Sequence, residues 1–240
     1  LQWRRISLEL EDVKATFGEG EANKRRTIVA EAEEIEDFHE GAMIEKEPAT
    51  VILSKRGWIR AAKGHNVDPA AIKYKDGDEG RFVLQAQTTD KLLLVTTAGR
   101  VYTLGCDKLP GGRGFGEPLT LTIDMDTKDR LVTCFVHNPA GKVVLASSDG
   151  RGFIAKESDL VASTRNGKQA MNPGSPAVLS VCHAVSGDSV AVVGENRKLL
   201  IFPLEDMPEM ARGKGVKLQA YKDGGMSDVK TFTLGDGLSW

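Results

Sequence analysis

Four short segments place a basic residue among glycines or small polar residues: AAKGHN at Ala61 to Asn66, GGRGFG at Gly111 to Gly116, STRNGK at Ser163 to Lys168, and ARGKGVK at Ala211 to Lys217. Small neighbours strip bulk from a loop and leave backbone N–H groups open, so that a phosphate can approach closely. The chemistry expected of them is anion contact, contributed by Lys63, His65, Arg113, Arg165, Lys168, Arg212, Lys214 and Lys217. His65 has two readings, a hydrogen bond to phosphate or the cap of a turn. Any single loop of this kind is equally well explained as a solvated turn. It is the recurrence that favours binding.

The elements that must hold these loops repeat as well. From Thr50 onward, short β-branched runs are bounded by Gly, Asn and Asp, the pattern of β-hairpins. VILSKRGWIRAA, LLVTTAGRVYTL, VLASSDGRGFIA and VVGENRKLLIFP each set an apolar run, a polar turn and a second apolar run in the same order. Aligning Gly57, Gly99, Gly150 and Arg197 gives spacings of 42, 51 and 47 residues, the period of propeller-like blades. VKTFTLGDGLSW supplies a fifth copy with its turn at Gly237, cut short before its second strand. Glycine suits a hairpin turn because the turn needs positive φ, and in the fourth copy Asn196 is the residue expected to take that conformation beside Arg197. Measured from these turns, Arg113, Arg165 and Arg212 lie 14, 15 and 15 residues on, whereas Lys63 lies six on. One basic loop per blade on a common rim would form an arc of positive charge suited to bending a duplex through its phosphates, without sequence specificity.

The remaining chain divides in two. Trp3, Ile6, Leu10, Val13 and Phe17 fall at alternating spacings of three and four, the seam of a heptad helix that Gly18 stops, so residues 1–18 are expected to be the end of a coiled-coil helix. Residues 19–49 form an acidic linker, with eight acidic side chains from Glu31 to Glu47 against Lys46 alone. The β region is then 50–240, an all-β fold of about five blades with the last truncated. The formal net charge of -2 conceals this division: 7 Lys/Arg face 13 Asp/Glu in residues 1–50, and 25 face 21 in residues 51–240. No apolar stretch approaches the ~20 residues of a membrane span, and LQWRRISLELED is no signal peptide, which points to the cytoplasm. Cys106, Cys134 and Cys182 lie far apart without CxxC pairing, as buried thiols in a reducing compartment do.

Catalytic and metal readings are poorly supported. His39, His65, His137 and His183 never fall at metal-ligand spacing. Asp124, Asp126 and Asp129 lack the Gly and terminal Glu of a calcium loop. Tyr102 is expected to pack within a strand, and Tyr74 and Tyr221 to be structural. Neither a catalytic residue nor a metal ligand is assigned.

VILSKRGWIRAAKGHNVD, LPGGRGFGEPLT, SDLVASTRNGK and LLIFPLEDMPEMARGKGVK, at Val51 to Asp68, Leu109 to Thr120, Ser158 to Lys168 and Leu199 to Lys217, together resemble a known family. It is that of the C-terminal domains of gyrase and topoisomerase IV A subunits, and within it the topoisomerase IV (ParC) branch. The helix and FGEGEANKRRT, Phe17 to Thr27, resemble the coiled-coil tail that leaves the catalytic core in that family. The resemblance implies a β-pinwheel whose blades swap strands and whose basic rim binds and bends double-stranded DNA. It implies presentation of a transported DNA segment for ATP-dependent decatenation and relaxation during chromosome segregation.

The partner implied is the topoisomerase IV B subunit, in a heterotetramer formed through an N-terminal part. ATP and Mg²⁺ would enter through that partner, with no cofactor in this segment. Without the family's catalytic tyrosine the segment should be inactive alone. Its place would be the nucleoid, with room for regulatory proteins and a peripheral position at the inner membrane. Gyrase A subunits carry a QRRGGKG-type box for chiral wrapping; GGRGFG and ARGKGVK resemble only degenerate forms of it, which disfavours a wrapping gyrase domain. A protein-binding propeller scaffold would need apolar hot spots where these loops are polar. A propeller enzyme would need His, Asp or Glu recurring at the blade period.

Overall fold

The computed structural model describes residues 2–18, 44–111 and 114–239. They fall into two units, divided between Ala42 and Met43. The first contains helix α1 (Gln2–Phe17), a helix where the three-four spacing predicts one, with every residue exposed and Gly18 N–H donating to the Lys14 carbonyl at 2.7 Å. Most of the acidic linker, 19–43, lies outside the described residues. Its last part belongs to the β unit: Thr88 donates its N–H to the Glu47 carbonyl (3.0 Å) and its hydroxyl to the Glu45 carbonyl (2.5 Å).

The second unit opens with a hairpin of β1 (Pro48–Ser54) and β2 (Trp58–Lys63), followed by β3 (Gly80–Gln87). A second hairpin, β4 (Lys91–Thr96) and β5 (Arg100–Gly105), is followed by the two-residue strand β6 (Glu117–Pro118) and by β7 (Leu131–Val136). The third, β8 (Lys142–Ser147) and β9 (Arg151–Lys156), leads through the one-turn helix α2 (Glu157–Leu160) to β10 (Lys168–Gln169) and β11 (Leu179–Ala184). After the fourth, β12 (Ser189–Gly194) and β13 (Leu199–Pro203), come β14 (Val216–Lys217) and β15 (Met226–Phe232).

Pairing turns this order into four antiparallel sheets: β3-β1-β2-β6, β7-β4-β5-β10, β11-β8-β9-β14 and β15-β12-β13. The long strand after each hairpin pairs with that hairpin's first strand. The two-residue strand after the next hairpin crosses back onto the previous hairpin's second strand, so neighbouring sheets exchange strands. Four sheets, and not about five, form among the described residues. VKTFTL, assigned above to a fifth hairpin, belongs to β15 and closes the fourth sheet, with Val229 opposite Val192 and Phe232 opposite Ser189. A closing strand and a hairpin's first strand have the same alternation, and pairing with β12 is what distinguishes them. Gly237 is left-handed (φ 79) but follows a 3-10 turn, Leu234–Asp236.

The hairpin turns share one geometry. Gly57, Gly99, Gly150 and Arg197 each donate N–H to the carbonyl three residues back, with φ of 82, 77, 81 and 61. Arg197 itself, and not Asn196, takes the left-handed position. The Asn196 side chain instead accepts the Lys198 N–H at 3.1 Å, the local bond that suits Asn to a turn.

Strand alternation distributes the core between sheets. β4 sends Leu92 and Leu94 into a cluster with Val51, Leu53 and Ile59 of the first sheet, and Leu93 and Val95 into one with Val143, Leu145 and Phe153 of the third. Val144, Ala146 and Ile154 of the third sheet meet Val190 and Val192 of the fourth. The second and third sheets are thus apolar on both faces, which is why β4 and β8 are continuous apolar runs.

Candidate nucleic-acid interface

The basic loops after the second, third and fourth hairpins are the connections that enter β6, β10 and β14, so the topology sets them along the same edge of three successive sheets. Each enters through a left-handed glycine: Gly116 (φ 85), Gly167 (φ 68) and Gly215 (φ 75). A Cβ there would lie 2.3 Å from the Ile59 carbonyl oxygen, 2.8 Å from that of Val101 and 2.8 Å from that of Gly152. These glycines are therefore required by close packing on the preceding sheet, whereas a Cβ at Gly111 or Gly114 would meet nothing within 4 Å. Three residues on, Leu119, Ala170 and Leu218 donate N–H to the turn carbonyls of Gly57, Gly99 and Gly150 at 2.9, 3.0 and 2.8 Å.

Two of the predicted cations are tied to the protein. The Arg165 guanidinium donates to the Thr122 carbonyl at 2.9 Å and to that of Leu121, clamping the preceding loop with one edge while remaining exposed. Lys63 pairs with Glu47 at 2.9 Å, at the far end of β2 from the return strand; that hydrogen bond and charge hold its pKa above the ordinary lysine value. His65 donates from Nε2 to the Ala86 carbonyl at 2.9 Å, which ties its loop to β3 and is not the cap of a turn. Lys168, Arg212, Lys214 and Lys217 are exposed, and Lys214 lines an open cleft with Ser148, Asp149 and Arg151. Arg113 lies outside the described residues.

Position by position, the crossing strands differ in charge. Glu117 and Pro118 occupy the first sheet's edge, Lys168 and Gln169 the second's, Val216 and Lys217 the third's. Among the described residues, the cations lie on the crossing loops and strands of the second and third sheets.

The model of the DNA gyrase C-terminal domain, a β-propeller, matches residues 90–138, 141–172 and 188–226. The chain belongs to this family. Each matched stretch of the gyrase-type domain holds one hairpin together with the two-residue strand that crosses back from it. The A subunit of DNA topoisomerase 4 from Caulobacter vibrioides is 43% identical over 249 residues, covering 100% of this chain and 33% of the relative. Its counterpart from Rickettsia bellii is 42% identical, covering 99% and 32%, so the chain spans about a third of the length of the curated relatives it matches. Among solved structures, the E. coli ParC C-terminal domain aligns with a TM-score of 0.73 at 29% identity, covering 76% of this chain and 78% of that one. A C-terminal domain of DNA topoisomerase IV aligns with a TM-score of 0.70 at 18% identity, covering 80% and 63%.

Within this gyrase-type frame, two arginines that the loop pattern did not single out sit directly after the turns. Arg100 donates to the Asn166 carbonyl, and Arg151 to that of Gly215 at 3.4 Å, each holding the loop that crosses back beside it. The recurring Gly-Arg dipeptides at Gly99–Arg100 and Gly150–Arg151 were the available signal.

Other reactive groups are held in the framework. Burial pushes the Cys106 and Cys134 thiols up to about 12 and raises Cys182 as well. Tyr102 is buried and donates to the Asp124 carbonyl at 3.1 Å. Tyr221 packs its ring on the third cluster, a structural role as expected. Among the described residues no group of three or more His, Cys, Asp or Glu could hold a metal ion, and no helix is long and apolar enough to cross a membrane.

Proposed function

We propose that this chain is the DNA-binding and DNA-bending domain of a topoisomerase IV A subunit, presenting a duplex segment to the catalytic core for decatenation and relaxation. The observation that carries the proposal is the strand exchange, which sets Arg165 and Lys168 on the second sheet's edge and Arg212, Lys214 and Lys217 on the third's. Successive cations along a stack of sheets fit a phosphate backbone better than base edges, so binding should be salt-dependent and indifferent to sequence. Arg113 would extend the series toward the first sheet.

ATP and Mg²⁺ would be supplied by the B subunit of the parent heterotetramer, the DNA-binding step requiring neither, and the site of action would be the nucleoid in the cytoplasm. Bending a 20–30 bp duplex costs on the order of 1–6 kcal/mol, so a pre-bent or crossed duplex should bind about ten-fold or more tightly than a straight one of equal length. Competition between the two, followed by fluorescence anisotropy, tests this. Equal affinity would rule out bending.

A further inference from the structure

Two cations of the crossing segments have an exposed apolar side chain beside them. Leu121 is 61% exposed although Leu119 and Ile123, two residues to either side, are buried. A tight loop fixes it in place: Leu119–Leu121 form a 3-10 turn in which Thr122 and Ile123 both donate N–H to the Leu119 carbonyl at 2.9 Å. Arg165 grips the same loop from the second sheet. Its guanidinium bonds the carbonyls of Leu121 and Thr122, and its own carbonyl accepts the Asp124 N–H at 3.0 Å. The leucine is thereby held next to a guanidinium that remains exposed.

Val216 has the same company. It is 42% exposed, pairs with Gly152, and lies between Lys214 and Lys217, the latter opposite Arg151. Single exposed apolar residues are ordinary on a protein surface, but these two stand where the equivalent residues are polar or small. Counting from the left-handed glycine that enters each crossing strand, Leu121 matches Asn172 and Ala220, and Val216 matches Glu117 and Lys168.

Given the duplex binding proposed above, we propose that Leu121 and Val216 pack on deoxyribose, so that this rim selects DNA over RNA. Every backbone phosphate is flanked by a sugar. A cation with an apolar side chain beside it therefore matches one repeat of the strand, with phosphate on Arg165 or Lys217 and sugar on Leu121 or Val216. The sugar carbon that differs between the two nucleic acids is C2′, a methylene in DNA and a hydroxyl-bearing carbon in RNA. Against leucine or valine the methylene loses only water, whereas the 2′-hydroxyl would be buried without a partner. Base edges take no part, which keeps the contact independent of sequence.

The test measures the affinity of the full chain for DNA, RNA and 2′-fluoro RNA duplexes of one sequence and length, beside that of the double variant Leu121→Asn, Val216→Thr. Asparagine is what the second sheet carries at the first position, and threonine keeps the shape of valine while offering a hydroxyl. The fluoro duplex has the A-form of RNA without its hydroxyls, so it separates sugar chemistry from helix shape. RNA should bind about ten-fold more weakly than DNA, the scale of one buried unsatisfied hydroxyl, with the fluoro duplex closer to DNA than to RNA. In the double variant the RNA deficit should fall to about three-fold or less, because the new side chains give the hydroxyl a partner. Salt-dependent binding of DNA and RNA with equal affinity would overturn the sugar contact and leave the proposed function standing. So would a fluoro duplex as weak as RNA, or a deficit unchanged in the variant, since helix shape would then discriminate. Absence of salt-dependent binding to any duplex would overturn both.

Discussion

The outward face of the first sheet and that of the fourth are the two ends of one stack, and they are finished differently. Three residues after the turn, the second and third sheets carry Tyr102 and Phe153, which pack on the preceding sheet, and the fourth carries Leu200; the first sheet carries Arg60. Arg60 is 7% exposed, with its guanidinium donating to the Gly114 carbonyl and to that of Lys73 at 3.0 Å. The chain between β2 and β3 folds over this face: Val67, Ala71 and Ile72 line a cavity of about 360 Å³ with Ile52, Arg60 and Phe115. The first sheet is therefore a cap, in the sense used for terminal repeats, with a satisfied polar group where an internal repeat has a packing one. The fourth keeps the internal pattern, with Leu199 and Ile201 pointing outward. Sheets alike in sequence pattern thus differ in whether that pattern is covered.

Truncating equivalent residues at the two positions should separate the two sheets most strongly. Ile59→Ala, under the crossing strand, should cost about 2–5 kcal/mol, and Leu199→Ala less than about 1 kcal/mol. Urea unfolding of both variants measures the difference; equal losses would mean that Leu199 is covered in solution. A smaller effect is expected at the cap. Arg60→Ala leaves two carbonyls without their donor and should cost about 1–3 kcal/mol, whereas Leu200→Ala at the matching position should cost less. If Arg60→Ala were neutral, the first face would not depend on its buried guanidinium.

The same contrast shows what was legible in the sequence. Hairpin order, blade period and turn positions could be read from apolar runs and glycines, because those patterns reflect local backbone chemistry. Strand exchange could not, since β6, β10 and β14 are two residues long and carry no periodicity. Their only mark is the glycine before them, whose reason is a carbonyl on another sheet. The basic residues were visible, but their second roles were not: the sequence does not show that Arg165 holds the Leu121 and Thr122 carbonyls, or that Arg100 and Arg151 brace neighbouring loops. VKTFTL was misplaced because alternation identifies a strand and not its partner.

If the crossing loops of the second and third sheets bind phosphate, as proposed, duplex affinity must depend on salt through their lysines. Reversing the charge of Lys168, Lys214 and Lys217, none of which braces a neighbouring loop in the structure, should weaken binding to all duplex sequences alike. The slope of log K against log salt should flatten by about 0.9 for each phosphate no longer neutralised, or about 2–3 in the triple variant. An unchanged affinity and slope in a variant that still unfolds cooperatively would mean that these loops do not hold the duplex.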